Sequence, residues 1–397
     1  MNYKIMHHNE IIDKYKSPII TWGVSEVLKK HYKDFYNIAY ILESNQNLIN
    51  TFLNTSKIVK NEDIYNFEHP IILMGNHVLE QLTILDTYGI KNEIIVDESL
   101  TKDILFLKDN SAYFSNTNDM KYKHELFKNA VKMVEIEPHS YCNRVCWFCP
   151  NSYIDRKSSV YYMDNNLINK LFDDLETINY SRIISFTRYA EPFGNDIFYD
   201  VLKLANEKLP NATLHANTNG DFLNNNTLNR AYEAGLRSLN IQLYLQKDEK
   251  LTLDIVEKLA TRILKRTNHI SIELSKHLED WIEYKCVYKD MQMRMYARDF
   301  SKNGTSRCEI KINVYDEIRT KPCLLPFTDI YIDYNGNVVP CCNIRSDELS
   351  QSNYIISNLS SYETIFDLYF SDKFISWRKK LFNFSPKKFE PCAKCYF

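Results

Sequence analysis

From Lys132 onward, short apolar runs alternate with amphipathic helical stretches in six successive repeats, and this rhythm limits the fold more than any other feature of the sequence. The runs are MVEIEP (from Met133), IISFTRYAEP (Ile183), ATLHANTNG (Ala212), SLNIQLYL (Ser238), HISIELS (His269) and MQMRMYA (Met291). Stretches such as NLINKLFDDLETI, DIFYDVLKLANEKL, TLNRAYEAG and DIVEKLATRILKR lie between them. Strands joined through helices run parallel and need helices on their faces. Repeated units of this kind predict an α/β fold with a partial (β/α)6 barrel of the TIM type. Functional residues are then expected just beyond the C-terminal ends of the strands.

A second alternation occupies residues 17 to 98, with PIITW, NIAYILE, PIILMGN and NEIIVDE as its apolar runs. It predicts a separate Rossmann-like α/β domain. Glu43 closes the second run twenty positions beyond Gly23, where a dinucleotide-binding domain carries its ribose-binding acid. The turn WGVSEV has one glycine where the phosphate fingerprint has three, so a structural or substrate-presenting role is favoured over a working nucleotide site. Residues 100 to 130 are polar and weakly patterned and read as a connector with a hairpin and a short helix. The expected domains are 1–115 (Rossmann-like), 116–305 (partial barrel) and 306–397 (a small α+β extension). The extension contains YIDYNGNVVPCC, which predicts a hairpin on an Asn-Gly turn.

Charge and hydropathy narrow the function. The 49 basic and 51 acidic side chains leave a net charge of -2, so no chain-wide field draws nucleic acid or an anionic membrane. No apolar run approaches the ~18 residues that span a bilayer, and MNYKIMHHNE does not read as a secretory signal. A cytoplasmic location is therefore expected. In that reducing compartment the ten cysteines are poor disulfide candidates and better explained by metal or catalysis.

Three of them, Cys142, Cys146 and Cys149, form a C-x3-C-x2-C run directly after the first barrel strand. Three closely spaced thiolates can hold three irons of a cubane and leave the fourth open. A zinc site would close with four ligands, and only His139 lies nearby as a fourth, so iron–sulfur is preferred. The segment resembles the radical S-adenosylmethionine superfamily, over residues 132 to 300. The resemblance implies that S-adenosyl-L-methionine is chelated to the open iron of a [4Fe-4S] cluster and cleaved to a 5′-deoxyadenosyl radical that abstracts a substrate hydrogen. It assigns Ala190 and Glu191, in YAEP, to the turn that meets the methionine amino group, although Tyr189-Ala190 replaces the family's two glycines. Asn217 and Asn219 in HANTNG, and Gln242 in the fourth strand, are implied ribose or substrate contacts, and Phe148 is the aromatic beside the adenine.

Five further cysteines, Cys323, Cys341, Cys342, Cys392 and Cys395, gather in the last 75 residues. This portion resembles the SPASM/twitch extension, which implies a second, auxiliary [4Fe-4S] cluster held by Cys323, Cys341, Cys392 and Cys395, with Cys342 left over. A zinc ribbon is the structural alternative. A fully ligated auxiliary cluster favours electron transfer, and hence dehydrogenation of a small sugar, cyclitol or nucleotide-linked metabolite, with flavodoxin or ferredoxin as the implied reductant. An epimerase would instead need a hydrogen donor, for which Cys286 and Cys308 are the candidates. Arg294, Arg298 and Arg307 are candidates for a substrate carboxylate or phosphate. Two other readings stand beside this one: a radical enzyme that epimerises or cross-links a peptide, and a non-catalytic zinc-binding scaffold.

Overall fold

The computed structural model describes residues 2–101, 111–308, 310–312, 318–319, 322–382 and 387–395. The chain divides into two compact units, Met1–Ser111 and Ala112–Phe397.

In the first unit the strands are β1 (Lys4–Met6), β2 (Ile19–Trp22), β3 (Ile38–Glu43), β4 (Phe52–Leu53), β5 (Ser56–Lys60), β6 (Ile71–Gly75) and β7 (Ile94–Thr101). They form one sheet in the order β1-β7-β6-β2-β3-β5-β4, parallel except for the β4–β5 hairpin at one edge. Strands buried on both faces need unbroken apolar runs, and PIITW and PIILMGN supply them. Ile20, Leu42, Ile71, Leu73 and Val96 pack on one face, and their alternates Ile19, Ile41, Ile72, Met74 and Ile95 on the other. The central five strands follow the doubly wound order, with β2 and β6 at the switch point. Helices α1 (His8–Lys14), α2 (Glu26–His31) and α3 (Val78–Tyr88) belong to this unit. The carboxylate of Glu43 accepts the backbone N–H of Val24 (3.0 Å), Ser44 (2.8 Å) and Asn45 (3.0 Å). The acid at the expected ribose position is thus engaged in fixing the glycine-poor turn.

The second unit is built on ten strands: β8 (Met133–Ile136), β9 (Ile183–Ser185), β10 (Thr213–Thr218), β11 (Ser238–Gln242), β12 (Ser271–His277), β13 (Trp281–Tyr288), β14 (Met291–Arg298), β15 (Asp329–Ile332), β16 (Asn337–Val339) and β17 (Ser357–Asn358). Their order is β12-β13-β14-β11-β10-β9-β8-β15-β16-β17. Six neighbours, β15-β8-β9-β10-β11-β14, run parallel, as the strand–helix alternation requires. Helices α4 (Met120–Ala130), α5 (Asn165–Thr177), α6 (Ile197–Lys208), α7 (Asn225–Glu233) and α8 (Leu253–Leu264) precede or join the first strands. Helix α5 shows why: Asp164 caps its N-terminus, and Ile168, Leu171, Phe172 and Leu175 form one buried stripe.

The alternation changes after the fourth repeat. HISIELS does not enter the parallel layer; β12 pairs antiparallel with β13, and β13 antiparallel with β14. Most of β12 is exposed, so its apolar residues do not mark a core strand. At the other edge β15 pairs with β8, placing Ile330 beside Val134, so the cysteine-rich C-terminal segment contributes a strand to the same sheet. The hairpin predicted at Asn335-Gly336 joins β15 to β16, with Gly336 at φ 78°, a conformation that favours glycine.

Candidate functional site

The loop after β8 carries Cys142, Cys146 and Cys149 to the C-terminal end of the parallel strands. There the three thiols border one cavity with Phe148, Ala190, Glu191, Asn217, Asn219 and Gln242. Every residue that the family resemblance assigned to the cofactor therefore meets at a single cavity.

A polar frame holds these loops together. Buried Glu191 accepts from Thr218 Oγ1 (2.5 Å) and from the N–H of Asn219 (2.8 Å) and Phe193 (3.3 Å). It ties the end of β9 to the end of β10. Burial nevertheless raises its carboxyl to about 7. Asn219 Nδ2 donates to Asn143 Oδ1 (2.8 Å). Asp221 accepts from Asn143 (2.7 Å) and, through both oxygens, from Arg144 (2.7 and 2.6 Å). This fork pins the cysteine loop to the Thr-Asn-Gly turn. Asn217 receives Asn240 Nδ2 on its own carbonyl (2.7 Å) and donates to Thr187 Oγ1. Phe148 lies flat on Phe300, with ring centroids 3.6 Å apart and planes at 6°, and contacts Tyr244. The Gln242 side chain makes no hydrogen bond among the described residues.

Several cavity residues carry no signal in the sequence reading. Glu135, in the middle of β8, is buried, accepts from Ser185 Oγ (3.1 Å), and is raised to about 7 by burial. Arg188, Tyr244 and Phe300 also line the cavity. Two buried Arg188 atoms, Nε and Nη1, have no hydrogen-bond partner among the described residues, while Nη2 donates to the carbonyl of Ile344 (3.1 Å). A glutamate breaking an apolar strand, in MVEIEP, was the available sign for Glu135.

The candidate arginines separate. Arg298 and Arg307 border the cavity, whereas Arg294 donates to Asn240 Oδ1 (2.7 Å) and lines a different pocket, beyond the cysteine cavity. Neither proposed hydrogen donor borders the cavity. Cys286 is buried in β13 and faces the pocket of Arg294, because residues alternate faces along a strand. Cys308 lies with Cys341, Cys392 and Cys395 around a second pocket. Cys342, the residue left over from the auxiliary set, does border the main cavity. The Cys341-Cys342 pair thus spans the wall between the two pockets. His139 is fully buried, accepts from the Tyr141 N–H (3.2 Å), and does not line the cavity.

The donor chemistry fits iron–sulfur clusters. Burial raises Cys142 to about 11 and Cys146 to about 12, and the charge of neighbouring cysteines adds to both. Cys392 is raised to about 12 by burial and by Cys323 and Cys395. Such thiols ionise only against a bound cation. Among the described residues no three of these thiols lie within 4.8 Å of one another. Thiolates on one tetrahedral zinc would stand about 3.8 Å apart, given Zn–S bonds of about 2.3 Å.

The two cysteine groups are also bridged by buried charge. Arg156 donates to Glu137 (2.8 Å) and to Asp347 (2.8 Å). Arg345 donates to Asp347 (2.5 Å) and to Asn151 Oδ1 (2.6 Å), just after the first cysteine run.

Residues 323–396 match the model of the SPASM iron-sulfur cluster-binding domain. A 267-residue stretch is 26% identical to the S-adenosyl-L-methionine-dependent 2-deoxy-scyllo-inosamine dehydrogenase of Niallia circulans, covering 66% of this chain and 92% of that protein. The C-terminal segment thus matches an iron-sulfur cluster-binding domain, and 66% of the chain is similar to an S-adenosyl-L-methionine-dependent dehydrogenase. Among solved structures, BtrN in complex with AdoMet and 2-DOIA is similar at 23% identity, over 67% of this chain and 93% of that one, with a TM-score of 0.46. BtrN in an open conformation gives 23%, 67%, 92% and 0.44. No helix among the described residues is long and apolar enough to cross a membrane.

Proposed function

We propose that the enzyme is an oxidoreductase that removes two hydrogens from a carbinol or amine centre of a small polar molecule of the aminocyclitol or sugar class. One observation carries this reading: the cavity bordered by Cys142, Cys146 and Cys149 is also bordered by Cys342, next in sequence to an auxiliary ligand. A molecule held there sits between the two cysteine groups, where a hydrogen can leave on one side and an electron on the other. The named activity of the Niallia circulans relative supports the same substrate class.

Cys142, Cys146 and Cys149 would hold one [4Fe-4S] cluster and Cys323, Cys341, Cys392 and Cys395 a second. When bound, the first with S-adenosylmethionine supplies a hydrogen-abstracting deoxyadenosyl radical and the second an electron acceptor. The chain's own residues do the rest. Phe148, Asn219, Gln242 and the Glu191 turn would seat the cofactor. Arg298 and Arg307 would orient substrate oxygens through fixed N–H forks. Glu135, with its carboxyl near 7, would accept the proton that leaves the substrate hydroxyl or amine.

Cys342 favours a second reading. If its S–H faces the substrate radical, it can return a hydrogen to the opposite face, the thiyl left behind taking an electron supplied by the flavodoxin reductant and a proton from solvent, and the outcome is epimerisation with no net oxidation of the substrate.

One experiment tests both. The anaerobically reconstituted enzyme is given S-adenosylmethionine, flavodoxin and an aminocyclitol panel beginning with 2-deoxy-scyllo-inosamine, in D2O, and products are weighed. Deoxyadenosine with a product 2 Da lighter supports dehydrogenation, and a product 1 Da heavier supports epimerisation. Absence of deoxyadenosine at about eight irons per chain would overturn the reading.

A further inference from the structure

His8 opens α1, His31 closes α2, and Asp34 lies in the turn that follows, yet folding of the N-terminal unit brings all three to one point. The anchor is Asp97 in β7, which is fully buried. Its Oδ1 accepts the backbone N–H of Ser99 (3.0 Å) and Leu100 (3.1 Å), and its Oδ2 lies 2.5 Å from His8 Nδ1. A carboxylate held in this way is an acceptor, so it fixes the proton of His8 on Nδ1. Ring contacts with Phe35 and His31, each at 5.5 Å between centroids, limit rotation of the imidazole.

His8 Nε2 consequently faces Asp34 Oδ2 at 3.3 Å, and the same oxygen lies 2.7 Å from His31 Nδ1. The three donor groups lie within 4.8 Å of one another, and no other set of His, Cys, Asp or Glu among the described residues does so. A neutral imidazole would point its lone pair at a carboxylate oxygen, which is repulsive unless a metal cation or a second proton lies between them. Two ligands of a tetrahedral ion with bonds of 2.0–2.1 Å stand about 3.3 Å apart; the His8–Asp34 pair has this separation, and the His31–Asp34 pair, at 2.7 Å, must open for both to ligate one ion, a movement that the exposed Asp34 side chain permits.

We propose that His8, His31 and Asp34 bind one divalent first-row transition ion, zinc by the character of the N2O donor set, with Asp97 orienting His8 from behind. Three protein ligands leave the fourth position to water. Asp34 has 42% of its side chain exposed, so that position is reached from solvent. The site does not depend on the reaction assigned to the second unit. It would tie the first helix to α2 and to the sheet.

The test uses full-length enzyme with both clusters reconstituted, so that the cysteines are occupied, and then freed of loose metal with EDTA. Calorimetric titration with Zn2+ should show one saturable equivalent. X-ray absorption at the zinc edge should show nitrogen and oxygen neighbours with imidazole scattering and no sulfur. His31→Ala and Asp34→Ala, both at partly exposed positions, should each weaken binding at least ~100-fold, and Asp97→Asn ~10–100-fold. Iron content and thermal unfolding of the first two variants should match the wild type. The proposal is overturned by the absence of saturable binding, by sulfur neighbours, or by undiminished affinity in His31→Ala. Any of these leaves His8 and His31 as hydrogen-bond partners of the two aspartates.

Discussion

Replacing Glu135 by Gln is the sharpest perturbation of the proposed chemistry, because the substitution keeps the shape of the side chain and removes its proton affinity. Burial raises this carboxyl from 4.5 to about 7. The ionised fraction then rises from ~10% at pH 6 to ~90% at pH 8, so a step that needs the base should speed up about tenfold across that window. The corresponding stability effect has the opposite sign. A carboxyl whose folded value is raised favours folding below the unfolded value and loses that contribution as pH climbs through the folded one. The shift corresponds to about 3 kcal/mol. Glu135→Gln should therefore be no less stable than wild type at pH 8, which separates a catalytic loss from unfolding. The assay counts product and deoxyadenosine in the same reaction. The variant should still form deoxyadenosine, while product per deoxyadenosine falls ~100-fold or more and loses its rise between pH 6 and 8. A variant with the wild-type ratio, or a wild-type ratio that is flat in pH, would refute the assignment of Glu135 as base.

Other perturbations probe the remaining parts of the site. Cys146→Ala should abolish deoxyadenosine formation, whereas Cys392→Ala should retain it and stop turnover; electron paramagnetic resonance should show the loss of a different cluster in each. Cys342→Ala should leave a dehydrogenated product unchanged and should stop deuterium incorporation only if the enzyme is an epimerase. Arg144→Ala removes a half-exposed ion pair, so denaturant unfolding should detect no more than ~1 kcal/mol. Deoxyadenosine formation should still fall ~10–100-fold as the cysteine loop loses its register; a large stability loss with normal activity would contradict this. Arg156→Met removes the ion pair of fully buried Glu137 and leaves its carboxylate only the N–H of Tyr189 (3.0 Å) among its side-chain hydrogen bonds in the described residues. The expected cost is about 3–5 kcal/mol, visible as a lower unfolding temperature.

The residues legible in the sequence share one property: their meaning depends on local spacing. The C-x3-C-x2-C run, the Asn-Gly hairpin and the strand–helix rhythm all concern neighbours within a few positions, where chain geometry leaves few choices. What the sequence hid depends on contacts across the sheet. HISIELS has the composition of a parallel core strand, but β13 intervenes between it and β14, and only the pairing reveals that it lies at an exposed antiparallel edge. Cys342 and Cys341 are indistinguishable as text. Both sit in the turn after β16 that the Ile344 N–H closes on the Cys341 carbonyl (3.2 Å), and that turn aims one at the main cavity and the other at the auxiliary pocket. Cys286 and Cys308 are candidates by chemical type alone, and packing sends them elsewhere. Glu135 and Glu191 have identical side chains and nearly the same raised carboxyl, yet their surroundings divide their work. Three donors converge on Glu191, two of them backbone N–H groups, and engage it in holding two strand ends together. Glu135 accepts from one serine hydroxyl and keeps acceptor capacity toward the cavity, which is what a proton acceptor requires.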